Sequence, residues 1–205
     1  MKNQLNKAKI AITGGIGSGK SQAAKFIKAL GFSVFSCDEI YKNVILSREY
    51  IEQVEKAFPE SVVNKQIDRK ILADIVFNDA QRRQTLNNIA HPLIMERLFR
   101  DMDDAPMELV FAEVPLLFEG NYQELFDFVI VIERDIAKRI ESVKTRDGLS
   151  DEQILNRIQS QFDYSKIKET EYFKNGKIIE IDNNGGVEDL NEKVSLEINR
   201  LKSLM

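Results

Sequence analysis

The sequence predicts an α/β fold, a parallel sheet with helices on both faces, to which two further helical regions are added. Three observations support this class. A strand, a glycine-rich turn, a helix and a second strand follow one another between residues 9 and 35. Apolar runs return after residue 105 and alternate with helical periodicity, which is typical of α/β proteins. The residues between them, 39–105, have an almost wholly helical pattern.

The opening unit is the most clearly patterned part of the chain. Lys9–Thr13 is an apolar run of the kind found in buried parallel strands. Apolar residues at helical spacing follow from Lys20 and stop before Gly31, which suits a helix C-terminus. Phe32–Phe35 predicts a second strand. Because strand–helix–strand connections are right-handed parallel crossovers, we expect both strands in one parallel sheet.

Later elements are predicted from the same kinds of signal. In the helical stretch, Pro59 and the Asn78-Asp79 pair predict helix ends. A new helix is expected to open at His91-Pro92, because proline is tolerated in a first helical turn. Strands are predicted at Leu109–Ala112, Phe128–Ile132 and Lys177–Asp182. Helices are predicted around Ile136–Val143, from the capping box Ser150–Gln153, and, after the turn Asn183–Gly186, around Leu190–Leu201.

Composition excludes several classes of protein. A chain of 205 residues suits one domain with appendages, and 43% hydrophobic with 30% charged residues excludes a disordered chain. The single cysteine, Cys37, excludes a disulfide framework within the chain and favours a reducing compartment, so we expect a cytoplasmic protein. No apolar run is long enough for a signal peptide or a membrane span, so no membrane association is expected.

Charge is distributed unevenly along the chain. The net charge of −4 argues against a general nucleic-acid binder, so no nucleic-acid partner is expected. Residues 1–37 nevertheless contain six lysines and no carboxylate, and the first carboxylate is Asp38. This segment is therefore compatible with a local anion site.

The segment Gly14–Ser21 matches the phosphate-binding pattern G-x-x-x-x-G-K-[ST] between a predicted strand and a predicted helix. Backbone N–H groups of such a loop and the helix N-terminus bind phosphate oxygens. Lys20 is expected at the β- and γ-phosphates and Ser21 at Mg²⁺. The pattern therefore predicts ATP and Mg²⁺ as ligands. The residues expected at the nucleotide phosphates are Gly15, Ile16, Gly17, Ser18, Gly19, Lys20, Ser21 and Gln22.

Several classes of protein share this loop. A regulatory GTPase needs a guanine-reading Asn-Lys-x-Asp, but in Asn64–Asp68 the aspartate comes one residue late. A small-molecule kinase needs a base, an acceptor pocket and cations on a closing segment, and each has a candidate here. Another small-metabolite or nucleoside-monophosphate kinase is the nearest alternative. A nucleotide-dependent switch or assembly ATPase, which needs no acceptor pocket, is an alternative from a different class.

Three residues outside the loop are candidates for chemistry. Asp38 follows the second strand, at the sheet edge where ligands bind, and could orient an acceptor hydroxyl as a base. Its alternative role is to cap a helix beginning near Glu39. Glu113 ends a strand and is the candidate magnesium group, with an edge salt bridge as the alternative. His91 is the only histidine, and its plain interpretation is a residue at a helix start.

Two predicted helices after Phe128–Ile132 carry arginines. Arg139 and Arg146 are seven residues apart and share a helix face, and Arg157 and Gln161 form an i, i+4 pair on the next helix. Solvated helix faces are the simpler interpretation. Since both helices carry arginine, a lid over a polyphosphate is the functional interpretation.

A set of short blocks resembles the dephospho-CoA kinase family. They occur in order between Lys9 and Leu201, and the His-Pro-Leu-Ile and Pro-Leu-Leu-Phe-Glu blocks are the more diagnostic ones. The blocks are Thr13–Ser21, Asp38, Ile67–Arg69, His91–Ile94, Val114–Glu119, Arg146–Gly148, Arg157–Gln161 and Ile181–Gly185.

The resemblance implies transfer of the γ-phosphoryl group of ATP to the ribose 3′-hydroxyl of dephospho-CoA, the last step of coenzyme A synthesis. It implies that Asp38 is the base and that Lys20 and Arg139 stabilise the transferring group. Residues implied at dephospho-CoA are Asp38, Arg69, His91, Leu116, Arg157 and Gln161, and further residues implied at ATP are Arg146, Asn183 and Gly185. Ser36 stands where many family members have aspartate, and Gln22 where threonine is common.

The resemblance also implies a single P-loop kinase domain. Its core would comprise residues 8–40, 106–134 and 176–205, its helical substrate-binding region residues 41–105, and its lid residues 135–175. We expect a monomer or a weak oligomer.

Overall fold

The structure, a computed structural model, describes residues 7–205. Lys2, one of the six lysines in the cationic segment, lies outside the described residues. The chain divides into two compact units. We call Met1–Phe35 with Met102–Met205 the sheet unit, and Ser36–Asp101 the helical unit.

The secondary structure alternates between strands and helices in the sheet unit. In chain order the strands are β1 (Ala8–Thr13), β2 (Ser33–Ser36), β3 (Val62–Val63), β4 (Gln66–Ile67), β5 (Leu109–Glu113), β6 (Phe128–Glu133) and β7 (Ile178–Asp182). The helices are α1 (Lys20–Ala29), α2 (Cys37–Val44), α3 (Arg48–Ala57), α4 (Arg69–Asn78), α5 (Ala80–Asp104), α6 (Ile136–Asp147), α7 (Asp151–Gln159), α8 (Glu171–Lys174) and α9 (Val187–Ser203).

Five strands form one sheet in the order β2-β5-β1-β6-β7. β1 pairs in parallel with β5 and β6, and β6 pairs in parallel with β7. The register places Ile12 opposite Glu113, and Glu133 opposite Asp182. Because the strands run parallel, the loops that follow β1, β5, β6 and β7 all leave from the same edge of the sheet.

The hydrophobic core is formed by apolar residues that are buried on both faces of the sheet. Alternate residues such as Ile10 and Ile12 pack with α1 and α9, and residues between them such as Ala11 are also fully buried. Burial on both faces explains why these strands have continuous apolar runs rather than an alternating pattern. The predicted fold class, a parallel sheet with flanking helices, is confirmed.

Strand positions predicted from the apolar runs agree with the structure to within one residue at each end. The second strand is Ser33–Ser36 rather than 32–35, and α2 begins directly after it at Cys37. The almost wholly helical pattern predicted for 39–105 is wrong at one place, where β3 and β4 form a hairpin. Its two turn residues, Asn64 and Lys65, both have positive φ, and such turns match the twist of paired strands.

The prediction that a new helix opens at His91-Pro92 is also wrong. α5 runs without interruption from Ala80 to Asp104, with Pro92 inside it. A proline removes one backbone hydrogen bond and crowds the carbonyl four residues earlier, which strains a helix but does not always end it. Among the helices of residues 7–205, none combines the length and apolar character needed to cross a bilayer.

Candidate active site

The phosphate-binding loop joins β1 to α1 at the common edge of the sheet. All the residues predicted at the nucleotide phosphates, Gly15 to Gln22, lie in this loop and in the first turn of α1. Gly19 precedes the helix in a left-handed conformation and offers no side chain to cap it. The first N–H groups of a helix have no intrahelical carbonyl partner, so this uncapped end is suited to an anion.

The end of β6, helix α6 and the turn after β7 lie so close to the loop that three of its positions have room only for glycine. A Cβ atom on Gly14 would collide with the Ile132 carbonyl oxygen at the end of β6, and one on Gly17 with the backbone of Arg139 in α6. A Cβ atom on Gly19 would collide with the Asn183 amide after β7. The three glycines also have positive φ values of 147°, 77° and 101°. A residue with a side chain is therefore excluded at each by both space and backbone conformation.

Two side chains of the predicted lid hold the backbone of Ile16. Arg139 Nε donates to the Ile16 carbonyl over 2.9 Å, and the Ile16 N–H donates to Gln161 Oε1 over 2.7 Å. Within residues 7–205, no carboxylate forms an ion pair with Arg139. Burial lowers the pKa of Arg139, while Tyr164 and Glu133 oppose that shift. The guanidinium thus carries a half-buried charge beside the phosphate loop with no carboxylate bound to it.

The turn after β7 braces the same loop. Asn183 is buried, and its Nδ2 donates to the Ser18 carbonyl over 2.7 Å. Its neighbour Asn184 donates through Nδ2 to the carboxylates of Asp135 and Asp182, and accepts from the Asp135 N–H. The two asparagines therefore connect the phosphate loop and the loop after β6 to the end of β7.

A cavity of about 330 Å³ lies beside the loop. Its lining includes Arg134, Arg139 and Asp182. Glu133 also lines it, and burial, reinforced by the charges of Glu180 and Asp182, raises the pKa of this carboxyl. The cavity thus combines cationic and acidic groups next to the phosphate site.

Ser21 and Glu113, the two residues predicted at the metal, are in contact. The Ser21 hydroxyl donates to Glu113 Oε1 over 2.5 Å. The described part of the chain contains no group of three or more His, Cys, Asp or Glu side chains arranged for a metal ion. Mg²⁺ usually takes one or two protein oxygens together with substrate phosphates and water, so a serine and a glutamate beside a phosphate loop fit this ion.

The remaining predicted lid and turn residues are placed differently. Arg146 makes a two-point ion pair with Asp147, at 2.7 and 2.8 Å. α7 ends at Gln159, so the prediction that Arg157 and Gln161 share a helix is wrong. Arg157 is exposed on α7, and Leu116 is exposed in the turn after β5. The structure therefore brings Gln161 onto the phosphate loop, and leaves Arg146, Arg157 and Leu116 without a described contact to it.

In the helical unit, the three candidate residues lie on three different helices. Asp38 is exposed in the first turn of α2, whose N-cap is Ser36, so a helix from Glu39 capped by Asp38 is wrong. Arg69 begins α4, next to its capping residue. His91 lies within α5, and burial lowers its pKa, which favours the neutral imidazole at pH 7.

The sequence patterns do not single out Tyr164, although it contributes to the site, and they mark Asn184 only as part of the turn Asn183–Gly186 and of the family block Ile181–Gly185. Tyr164 Oη lies 3.2 Å from the Thr13 hydroxyl, a residue 151 positions earlier in the chain. Asn184 contacts Asp135, 49 positions earlier. No local signal marks Tyr164.

Comparisons with known proteins agree on one family. The family model described as dephospho-CoA kinase matches residues 8–189. A curated dephospho-CoA kinase from Thermus thermophilus is 33% identical over 181 residues, which cover 88% of this chain and 85% of the relative.

Solved structures show the same similarity in three dimensions. A crystal structure of a Thermus thermophilus protein has a TM-score of 0.78 and 31% identity, covering 96% of this chain and 98% of its own. A dephospho-CoA kinase from Campylobacter jejuni has a TM-score of 0.67 and 31% identity, covering 97% of this chain and 100% of its own. With the family model spanning most of its length, the chain belongs to the dephospho-CoA kinase family of ATP-dependent kinases.

Proposed function

We propose that this enzyme transfers the γ-phosphoryl group of ATP to the ribose 3′-hydroxyl of dephospho-CoA and so completes coenzyme A biosynthesis. Membership of the family indicates the reaction. The structural observation that supports it best is Arg139, whose guanidinium is bonded to the phosphate loop and has no ion pair with a carboxylate within residues 7–205. Such a charge is suited to stabilise the negative charge on the equatorial oxygens of the transferring group and on the leaving β–γ bridging oxygen.

On the nucleotide side, the chain's own groups bind and orient the triphosphate. Backbone N–H groups of the loop and the first turn of α1 bind phosphate oxygens, and Lys20 adds a positive charge at the β- and γ-phosphates. Arg139 stabilises the transferring group, and Gln161 and Asn183 keep the loop in shape through their bonds to it. The cavity beside the loop would take the nucleoside part of ATP.

Ser21 and Glu113 would hold Mg²⁺. When bound, the ion neutralises charge on the β- and γ-phosphates. The hydrogen bond between the Ser21 hydroxyl and the Glu113 carboxylate places the two oxygens next to each other beside the phosphate loop.

On the acceptor side, Asp38 would accept a hydrogen bond from the 3′-hydroxyl and orient it for in-line attack. A new bond forms between the 3′-oxygen and the γ-phosphorus, the bond to the β–γ bridging oxygen breaks, and the hydroxyl proton passes to the Asp38 carboxylate. Arg69 and His91 would bind dephospho-CoA, with Leu116 and Arg157 as further candidates. The enzyme is expected in the cytoplasm, as a monomer or weak oligomer.

The identity of the acceptor is the direct test. The protein is incubated with Mg·ATP and, separately, dephospho-CoA, a panel of nucleoside monophosphates, or no acceptor, and the phosphorylated product is identified by mass spectrometry. We expect coenzyme A from dephospho-CoA and no comparable product from the other reactions. Phosphorylation of a nucleoside monophosphate instead would support the alternative kinase class, and ATP hydrolysis without any phosphorylated acceptor would exclude a kinase.

A further inference from the structure

One half-buried tyrosine has its hydroxyl next to the start of the phosphate loop. Tyr164 Oη lies 3.2 Å from Thr13 Oγ1, within hydrogen-bond distance. Thr13 is fully buried at the end of β1, directly before the first glycine of the loop. The hydroxyl therefore joins the segment after α7 to the residue from which the phosphate loop begins.

The Tyr164 hydroxyl stays protonated beside a positive charge. Burial raises the pKa of Tyr164 to about 12, with a smaller rise from Glu119, and Thr13, Gly14 and Arg139 oppose the shift. A tyrosinate here would neutralise the neighbouring guanidinium. A neutral hydroxyl instead holds the loop by hydrogen bonding and leaves the charge of Arg139 available for phosphate.

The ring of Tyr164 is held by two phenylalanines. It meets Phe118 edge-on at 5.9 Å and Phe162 edge-on at 5.4 Å, and the two phenylalanine rings stack at 4.6 Å. Phe118 is buried and belongs to the Pro-Leu-Leu-Phe-Glu turn after β5. Aromatic pairs in these orientations are favourable beyond the area they bury. The ring is therefore fixed from a separate part of the sheet unit.

The same turn also fixes the backbone of this segment. Glu119 Oε1 accepts from the Phe162 N–H over 2.8 Å. The residue before Phe162 is Gln161, which accepts from the Ile16 N–H. Residues 161–164, the anchor segment, thus contact Ile16 in the phosphate loop and Thr13 directly before it. The segment is held from the other side by Phe118 and Glu119.

We propose that Tyr164 is a positioning residue for phosphoryl transfer, which acts through Thr13 to hold the phosphate loop in its nucleotide-binding shape. The Pro-Leu-Leu-Phe-Glu turn gives this residue a fixed place by holding the anchor segment. The proposal rests on the phosphate loop binding ATP, and it does not depend on which acceptor receives the phosphoryl group.

The test replaces Tyr164 with phenylalanine, which keeps the ring and removes the hydroxyl. We expect the Kd for Mg·ATP, measured by calorimetry without acceptor, to rise about tenfold, as loss of one hydrogen bond predicts. The KM for ATP should rise similarly, and the KM for dephospho-CoA should not change. Since ATP binding is measured without acceptor, failure of the proposed acceptor would leave this result intact.

Tyr172→Phe is the matched control. The Tyr172 hydroxyl is buried, donates to the Phe126 carbonyl, and has a pKa raised to about 12, but its recorded contacts within residues 7–205, with Phe126 and Lys177, lie outside the phosphate loop. We expect this variant to lose thermal stability with unchanged ATP affinity. If Tyr164→Phe also lowers the melting temperature but leaves ATP affinity unchanged, Tyr164 is only structural and the proposal is wrong.

A double-mutant cycle gives the second test. Thr13→Val removes the partner hydroxyl with little change in shape, while Thr13→Ser retains it. Because both tyrosine and threonine hydroxyls act through one contact, Tyr164→Phe and Thr13→Val together should weaken ATP binding no more than either change alone. Thr13→Ser should bind ATP within about twofold of the wild type. Losses that multiply in the double variant would contradict the proposed route through Thr13.

Discussion

The sheet unit and the helical unit use their candidate residues in different ways. At the sheet edge, Arg139, Gln161 and Asn183 form hydrogen bonds to the backbone of the phosphate loop. Each of these side chains therefore helps to hold that loop in shape. In the helical unit, Asp38 and Arg69 lie in the first turns of α2 and α4 and are exposed. The difference suggests two kinds of site: a backbone cradle braced by side chains for ATP, and separate side chains that bind the acceptor directly.

Arg139 should give the largest effect, because no carboxylate in the described part of the chain forms an ion pair with it. Arg139→Met is expected to lower kcat about a thousandfold, since an arginine that stabilises a transferring phosphoryl group contributes at least that much. The matched control is Lys144→Met on the same helix. Lys144 is exposed and already paired with Asp151, so its loss should change kcat by less than about fivefold. An equal fall in kcat in both variants, measured by steady-state kinetics, would contradict the role assigned to Arg139.

Asp38 should come next, and its loss should separate the two regions kinetically. Asp38→Asn is expected to lower kcat about a hundredfold, because a positioned general base contributes roughly that factor or more. The Kd for Mg·ATP should stay within twofold, since the loop is unchanged. Glu39→Gln, an exposed neighbour in the same helical turn, is the control and should have near-normal kcat. A normal kcat in Asp38→Asn would remove Asp38 as the base.

The smallest expected effect concerns the pH dependence of stability. Burial lowers the pKa of His91, so the unfolded chain binds more protons than the folded protein between that lowered pKa and the ordinary value of 6.5. The stability contributed by His91 is therefore complete above pH 6.5 and declines as the pH falls toward the lowered pKa. His91→Gln should lose less stability than the wild type between pH 7.5 and pH 5.5, measured by urea unfolding.

The sheet unit contains a group with the opposite dependence. Burial, with Glu180 and Asp182, raises the pKa of Glu133, so its contribution is complete below the ordinary value of 4.5 and is lost as the pH rises through the raised pKa. Glu133→Gln should therefore make stability decline less between pH 4.5 and neutral pH. If stability changed with pH in His91→Gln and Glu133→Gln as it does in the wild type, burial of these two side chains would not govern the pH dependence of stability.

Local patterns predicted those parts of the molecule whose causes are local. The apolar runs placed the strands, and the spacing of Gly14, Gly19 and Lys20 placed the phosphate loop, because both depend on residues that are neighbours in sequence. The hairpin of β3 and β4 was missed because strands of two residues are too short to show a periodicity. A proline at position 92 predicts a helix start there, but a long helix can continue through one proline, as α5 does.

The contacts that brace the loop could not be predicted in the same way. Gln161 and Ile16 are separated by 145 positions, and Asn183 and Ser18 by 165. Gln161 was expected at dephospho-CoA from the family resemblance, but in the structure its oxygen accepts from the phosphate loop. Contacts over such separations depend on the order of strands in the sheet, which puts the ends of β1, β6 and β7 side by side.

The proposed assignment of ATP to the sheet unit and of dephospho-CoA to the helical unit can be tested directly by calorimetric titration of each substrate into two variants. Lys20→Met should weaken binding of Mg·ATP at least tenfold and leave binding of dephospho-CoA within twofold. Arg69→Met should do the reverse. Equal weakening of both substrates in either variant, with the fold intact by circular dichroism, would contradict the assignment of the phosphate loop to ATP and of the helical unit to the acceptor.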